Sequence, residues 1–210
     1  QNVCKEKKSK LCVLDDKFKI QPISSDLRGQ EFSTTGKFEG NFSIKMLGKH
    51  QIRNAVLAMM GARKLGISQE EIYEGLSKAS WPGRLEVIKE SPLVIVDCAH
   101  NLSGITGLSE FVNGINKKKT LLLGTSEDKE ISKIVKVLVP LFDQVILTQG
   151  NYKPASLEVL EKEVRNYCSE VYVYSEVKEA ITKGMELIGE DEMLLITGSI
   201  YLVGDVLGHR

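Results

Sequence analysis

The second half of the chain alternates between short apolar runs and segments whose apolar residues recur every three or four positions. The apolar runs predict β-strands and the segments between them predict helices. Because the runs are continuously apolar, they are typical of parallel strands buried on both faces, and repeated strand–helix units predict a doubly wound α/β sheet with right-handed crossovers. The predicted strands are 93–98, 120–124, 144–148, 171–174 and 193–197, and the predicted helices are 103–115, 130–139, 155–167, 177–188 and 201–207.

The first part of the chain has a different pattern. Up to residue 48, extended segments with few core residues are separated by turns, one of them at Asp15–Asp16. Two helices should follow, the second with Ser68 as its N-cap. The Trp81-Pro82-Gly83 run stops helical structure, so we place a domain boundary there, between residues 1–82 and 83–210. The extended segments are 10–14, 18–23, 31–35 and 41–47.

Composition narrows the class of partner. The 28 basic and 28 acidic residues balance, so the sequence indicates no surface for nucleic acid or for an anionic membrane. The chain has no apolar run of membrane-spanning length, no signal segment and no Cys-x-x-Cys pair, which favours a cytoplasmic protein with reduced thiols. The missing initiator Met favours a chain whose beginning has been cut away. Three histidines without clustered ligands predict no structural zinc site.

Ligands of such sheets bind at the carboxyl ends of the strands, a rule that selects three loops here. The first is 97–101, where Asp97 could accept hydrogen bonds from a ribose or an adenine and His100 could donate to a carboxylate or phosphate. Alternatively, Asp97 and Asn101 could simply cap the next helix. Arg84, after the rigid Trp-Pro-Gly turn, could bind phosphate or stack on a base, or could pair with Glu86 at the surface.

The other two loops are 124–129 and 197–199. Lys129 could neutralise a substrate carboxylate, or could be a solvated side chain next to a helix-capping Asp128. The backbone of Gly198 and the hydroxyl of Ser199 could bind a carboxylate, or could form an ordinary strand-to-helix turn. Because the chain has no Gly-x-x-x-x-Gly-Lys-Ser/Thr loop for phosphates, these residues indicate part of an ATP-using enzyme and not a whole one.

Taken in order, the motifs of this chain resemble those of the folylpolyglutamate synthase/dihydrofolate synthase branch of the Mur ligase superfamily. The resemblance runs from about Gly48 to the C-terminus, and its Trp-Pro-Gly-Arg run separates the folate branch from the peptidoglycan ligases. It implies a Rossmann-like C-terminal αβ domain at 83–210, mostly parallel with helices on both faces, preceded at 1–82 by the strand-and-helix tail of a central ATPase domain. The motifs are Gly48-x-His50-Gln51-x-x-Asn54-Ala55, Trp81-Pro82-Gly83-Arg84-x-Glu86, Asp97-x-Ala99-His100-Asn101, Asp128-Lys129 and Gly198-Ser199-x-Tyr201-Leu202-Val203-Gly204.

The resemblance implies an ATP-dependent amide ligase. The γ-phosphate of ATP would pass to a folate or dihydropteroate carboxylate, and the amine of L-glutamate would attack the acyl phosphate. The P-loop, the Mg²⁺ ligands and most of the folate site would belong to a missing N-terminal part, so this chain alone should be inactive. The residues implied to hold ATP are Asn54, Arg84 and Asp97. Those implied to line the glutamate pocket are His100, Lys129 and Ser199, with His100 and Lys129 as the catalytic residues.

Two departures from the family pattern bear on the site. Cys98 stands where the family usually has Gly, so its side chain could crowd the nucleotide, and Glu130 replaces an Asp while keeping the charge. The resemblance also implies that residues near Trp81 to Arg84 form a hinge. Two other functions stay open: a different Mur-type amino-acid ligase, and a non-catalytic binding module that keeps the αβ fold.

Overall fold

The computed structural model of the protein describes residues 2–14, 18–36 and 38–208. The chain divides into two compact units, Gln1–Ser80 and Trp81–Arg210. In the part of the chain that the structure describes, no helix is long and apolar enough to cross a membrane. The turn predicted at Asp15–Asp16 lies outside the described residues.

The first unit is a three-stranded antiparallel sheet, in the order β1-β2-β3, with helices packed on it. Buried side chains alternate along β2 and β3, and Phe32, Phe42 and Ile44 form one core cluster with Val56 and Met59 of α2. The described residues up to 48 supply five members of this cluster, and the helices that follow supply the others. The extended segment predicted at 10–14 was wrong, because it lies outside the strands. The elements are α1 (Asn2–Glu6), β1 (Phe18–Asp26), β2 (Gly29–Gly36), β3 (Gly40–Ile44), α2 (Lys49–Lys64) and α3 (Gln69–Lys78).

The two long helices of this unit begin and end where the sequence signals predict. The N-cap at Ser68 is confirmed, because its hydroxyl accepts from the Glu71 backbone N–H at 3.2 Å. The Glu71 carboxylate accepts in return from the Ser68 N–H at 3.0 Å, which completes a capping box. Helix α2 stops before Gly66, whose positive φ of 84° lets the Ile67 N–H reach back to the Ala62 carbonyl at 3.1 Å.

The second unit is a six-stranded sheet in the order β4-β5-β9-β6-β7-β8. All neighbouring strands are parallel except β4 and β5, which pair antiparallel at one edge. The predicted fold class, a mostly parallel Rossmann-like sheet, is confirmed. The elements are β4 (Glu86–Glu90), β5 (Leu93–Asp97), α4 (Leu102–Asn113), β6 (Lys119–Leu123), α5 (Ile131–Leu138), a 3₁₀ turn (Val139–Leu141), β7 (Gln144–Leu147), α6 (Leu157–Val164), β8 (Val171–Val173), α7 (Val177–Leu187), β9 (Met193–Thr197) and α8 (Ile200–Gly208).

Strand β4 is the one strand of this sheet that the sequence pattern did not predict. Its residues Glu86-Val87-Ile88-Lys89-Glu90 are half-buried or exposed, because an edge strand has a neighbour on one side only. Four of the five parallel strands are mostly buried along their length, whereas β8, at the opposite edge, is half-buried or exposed. All five were predicted to within a residue or two at their ends.

The last strand of the chain occupies the centre of the sheet. Met193 of β9 pairs with Leu93 of β5 on one side and with Lys119 of β6 on the other, so the carboxyl ends of these strands meet at one edge. At that edge Gly198 has a φ of 107°, and a Cβ on it would lie 2.6 Å from the Gly124 carbonyl oxygen. The strand ends are therefore tightly packed against one another below the loops that follow them.

Candidate functional site

Four loops meet above the carboxyl edge of the sheet and line a cavity of about 360 Å³. Each loop leads from a parallel strand into the next helix, so α4, α5, α6 and α8 all begin at this edge. The N-terminus of a helix carries a partial positive charge and unpaired N–H groups, which favours anions. The residues that line the cavity include His100, Asp128, Lys129, Tyr152, Lys153, Ser199 and Tyr201.

His100 follows β5 and is half-buried at the cavity wall. Its Nδ1 lies 2.9 Å from the Cys98 carbonyl oxygen. Because a carbonyl can only accept, we assign the hydrogen to Nδ1, which leaves the lone pair of the neutral ring on Nε2. The ring is thus oriented by the backbone and can accept a proton through its other nitrogen.

Lys129 lies in the loop before α5, and its ammonium is 2.6 Å from the Asp128 carboxylate. The Lys129 side chain is 26% exposed, whereas that of Asp128 is 64% exposed. Lys129 is therefore not a solvated side chain, as the alternative with a helix-capping Asp128 had it. The hydrogen bond from Lys129 lowers the pKa of Asp128. At neutral pH this pair therefore contributes little net charge to the cavity.

Ser199 joins β9 to α8 and is only 4% exposed. Its hydroxyl oxygen accepts from the Tyr201 backbone N–H at 3.2 Å, as in a helix-initiating turn. Since that contact uses a lone pair, the hydroxyl hydrogen can still be donated to a ligand in the cavity. The strand-to-helix turn is therefore present, with the glycine required by close strand packing, and the serine lines the cavity, while binding of a carboxylate by this motif stays a prediction.

The Asp97 carboxylate is bonded to backbone groups, whereas its motif would indicate a bond to a ligand or to the next helix. It is 7% exposed, and its two carboxylate oxygens accept from the backbone N–H groups of Leu85 and Ala99, each at 2.8 Å. The helix-capping alternative applies to Asn101, which accepts from the Gly104 N–H at 2.9 Å and caps α4. Asp97 thus ties the segment before β4 to the loop after β5.

Of the six residues that the sequence selects, the structure brings His100, Lys129 and Ser199 into one cavity. Arg84 is exposed in the segment before β4 and does not line that cavity. Asn54 lies on α2 in the first unit, exposed, with its side-chain amide donating to Gln51 at 3.0 Å. The three residues proposed for ATP therefore lie outside the cavity.

Cys98 does not crowd the loop. Its side chain belongs to the core cluster beneath α8, with Val96 and Val203, and a Cβ on Gly83 would lie 2.7 Å from its sulfur. Burial, reinforced by the nearby Asp97 carboxylate, raises the pKa of the Cys98 thiol to about 11. The thiol is therefore a protonated core group at neutral pH, in contact with the glycine of the Trp-Pro-Gly turn.

The lining residues that were not selected from the sequence include Tyr152, Lys153 and Tyr201. Tyr152 and Lys153 belong to the loop that follows β7, and the rule that ligands lie at the carboxyl ends of strands applies to that loop as well. The signal was therefore present, because the strand at 144–148 had been predicted. Tyr201 lies within a motif already recognised, but on the first turn of α8 its ring reaches the same cavity.

The chain is similar to known ligases. The family described as Mur ligase, glutamate ligase domain, matches residues 83–200. The dihydrofolate synthase/folylpolyglutamate synthase of Bacillus subtilis is 30% identical over 196 residues, which are 85% of this chain and 44% of that protein. The UDP-N-acetylmuramoyl-L-alanyl-D-glutamate–L-lysine ligase of Streptococcus mutans is 30% identical over 179 residues, which are 80% of this chain and 36% of that protein.

Solved structures give the same result for the fold. Folylpolyglutamate synthase from Thermotoga maritima superposes with a TM-score of 0.80 at 28% identity, covering 99% of this chain and 49% of that one. Mycobacterium tuberculosis folylpolyglutamate synthase complexed with ADP gives a TM-score of 0.81 at 24% identity, covering 93% and 48%. The chain thus spans less than half of the length of each of these four relatives.

Proposed function

Because the chain belongs to the Mur ligase family, whose glutamate ligase domain matches residues 83–200, we propose that it is part of an ATP-dependent ligase. The chain would be the C-terminal part of that enzyme, which would join L-glutamate to a folate or dihydropteroate carboxylate. The B. subtilis relative and the folylpolyglutamate synthase of Lacticaseibacillus casei, 28% identical over 188 residues, support this substrate class. We assign residues 1–82 to the tail of the central ATPase domain and 83–210 to the C-terminal domain.

The observation that carries the proposal is the convergence of His100, Lys129 and Ser199 in one cavity. The Ser199 hydroxyl and the helix N-termini around it suit a carboxylate of the incoming amino acid. Nε2 of neutral His100 can accept a proton from the amine. As the amine nitrogen forms its bond to the acyl carbon, the bond from that carbon to the phosphate oxygen breaks, phosphate leaves and the lost proton passes to His100. The Lys129 ammonium uses one of its three N–H donors on Asp128, and another can stabilise the negative charge that develops at this site.

We assign residues of this chain to ATP but none to the metal ion. We propose that Asn54 and Arg84 contact the nucleotide, and that Asp97 acts on it through the backbone that it holds. In the described ranges, no group of three or more His, Cys, Asp or Glu residues could hold a metal ion. We propose that Mg²⁺ is held by residues of the N-terminal part of the ligase.

The test uses the full-length protein with ATP, L-glutamate and either dihydropteroate or a reduced folate. We expect ADP release that depends on both substrates, together with a product heavier by one glutamyl residue in mass spectrometry. His100→Ala and Lys129→Ala should each lower kcat/KM at least tenfold, about 1.4 kcal/mol of transition-state stabilisation. Lys133→Ala is the matched control, because that exposed lysine pairs with Glu130 outside the cavity.

One observation supports a second candidate, a ligase for another amino acid. The S. mutans relative, named for L-lysine, is as similar in identity as the B. subtilis relative named for folate. Replacing L-glutamate by L-lysine or diaminopimelate in the same assay separates the two candidates. Turnover with L-lysine and none with L-glutamate would make this chain part of a peptidoglycan-type ligase.

A further inference from the structure

We propose that Asp205 is a positioning residue: it holds the loop Asn151–Lys153 against α8 so that Lys153 binds the side-chain carboxylate of the amino-acid substrate. This inference rests on the proposed function, because it assigns a role within the same cavity. No motif contains Asp205, and it does not itself line the cavity. Its influence would pass through the loop.

The first contact is a two-point hydrogen bond. One carboxylate oxygen of Asp205 accepts from the Asn151 backbone N–H at 3.1 Å, and the other accepts from the Asn151 side-chain amide at 2.6 Å. Asp205 is half-buried on α8, whereas Asn151 is exposed in the loop after β7. Because both the backbone and the side chain of Asn151 are held, the position and the direction of the loop are fixed at this residue.

The second contact lies one helical turn away. Tyr201 and Asp205 are four residues apart on α8 and therefore share a face. The Tyr201 ring packs on that of Tyr152, with 4.4 Å between centroids and 36° between planes. Two consecutive loop residues thus contact two neighbouring positions on one helix, so loss of the Asp205 contact should also loosen the aromatic pair.

The loop delivers Lys153 to the cavity. Lys153 has a φ of 40°, which is sparsely populated for a residue other than glycine, and its carbonyl accepts from the Glu127 N–H at 3.0 Å. Its ammonium lies 5.8 Å from the centre of the Tyr152 ring. Strain of this kind persists where surrounding contacts enforce it, and here those contacts come from α8 on one side and from the loop before α5 on the other.

Charge identifies the ligand group. Lys129 is neutralised by Asp128, but among the described residues no carboxylate lies within ion-pair distance of Lys153. The cavity lining holds two lysines and two acids, Glu127 and Asp128, and of the two lysines it is Lys153 whose ammonium has no ion-pair partner among the described residues, so it can pair with a carboxylate of the substrate. A substrate with a second carboxylate would be attracted there, whereas one with a side-chain ammonium would be repelled. The loop thus favours a dicarboxylic amino acid over lysine.

The kinetic test compares variants of the full-length protein. Asp205→Ala should raise KM for L-glutamate about tenfold or more and leave KM for ATP within about twofold. Asp205→Asn keeps an acceptor for the Asn151 N–H, and a flipped Asn151 amide can accept from the new side chain, so KM should stay within about threefold of the wild type. Asp143→Ala is the matched control: it removes a carboxylate that accepts from the Lys119 N–H at 2.8 Å, away from the cavity.

Lys153→Ala should raise KM for L-glutamate as Asp205→Ala does. The double variant should have nearly the same KM as either single variant, because both changes remove the same interaction.

A second measurement tests the contact without any substrate: in the 210-residue chain, Asp205→Ala should speed hydrogen exchange at the Asn151 amide. An unchanged exchange rate would overturn the clamp, and faster exchange with an unchanged KM for glutamate would overturn its positioning role. An equal rise of KM for L-glutamate in Asp143→Ala would contradict the positioning role, because it would show that Asp205 acts only by stabilising the fold. If the full-length protein uses no amino acid, the proposed function fails, and the exchange rate still decides whether Asp205 fixes the loop.

Discussion

A substitution of Asp97 can distinguish a residue that contacts the ligand from one that stabilises the fold. Its two carboxylate oxygens accept from buried backbone N–H groups on two segments, and one of these, at Leu85, has a positive φ of 45°. The Cys98 N–H in turn donates to the Gly83 carbonyl at 2.8 Å, so the two segments are tied in both directions. We therefore expect that Asp97→Ala destabilises the second unit before any effect on ATP is considered.

The magnitude follows from the two bonds. A hydrogen bond to a charged group contributes about 1.5–3 kcal/mol, so losing two and leaving both N–H groups buried should cost about 3–6 kcal/mol. Because a domain of this kind is stable by about 5–15 kcal/mol, the loss is a large fraction of the total. Asp97→Asn keeps one acceptor but turns an NH₂ group toward the other donor, so its cost should be half as large, about 1.5–3 kcal/mol.

Urea unfolding of the 210-residue chain, followed by far-UV circular dichroism, measures these costs. Asp191→Ala, at an exposed turn, is the control and should change the midpoint little. A cost below about 1 kcal/mol for Asp97→Ala would refute the reasoning, because two buried donors cannot be abandoned so cheaply. In that event a loss of ATP use in the same variant would indicate a direct contact with the nucleotide.

Three further predictions concern neighbouring parts of the second unit. Arg84→Ala in the full-length protein should lower kcat/KM for ATP at least tenfold, about 1.4 kcal/mol, whereas Arg165→Ala, which breaks an exposed pair on α6, should not; equal kinetics would remove Arg84 from the site. The Cys98 thiol has a folded pKa of about 11 against an ordinary value of 9.0, so above pH 9 the unfolded chain loses its proton first and stability should fall by about 2–3 kcal/mol up to pH 11. Unfolding at pH 8 and pH 10.5 should show this extra fall in the wild type and not in Cys98→Ala. Gly198→Ala should destabilise the sheet by about 3 kcal/mol or more, because its Cβ would press on the Gly124 carbonyl at a positive φ, and an unchanged melting temperature would contradict that packing.

The fold of the second unit could be predicted because burial on both faces leaves a simple trace in the sequence. A strand such as Leu93–Asp97 or Met193–Thr197 must be apolar at nearly every position, and turn residues mark its ends. Edge strand β4 leaves no such trace, since Glu86, Lys89 and Glu90 are compatible with a loop as well as with a strand. Strand order was also beyond the sequence, because it depends on which apolar faces pack together.

The candidate site could be predicted in part, for a related reason. Topology brings the carboxyl ends of parallel strands together, so His100, Lys129 and Ser199 could be expected to meet. The direction of a side chain depends on local backbone geometry that no motif specifies. The sequence could therefore not reveal that the Asp97 carboxylate is used by backbone donors, or that Cys98 packs into the core against Gly83.

The position of β9 has a consequence for the order of folding. Residues 193–197 are synthesised after the other strands of this sheet, yet they fill the gap between β5 and β6. Until they emerge from the ribosome, two apolar strands have open edges that can pair with another chain. The nascent chain therefore exposes an aggregation-prone edge until β9 has been synthesised, and a stop codon just before Met193 should yield an insoluble product.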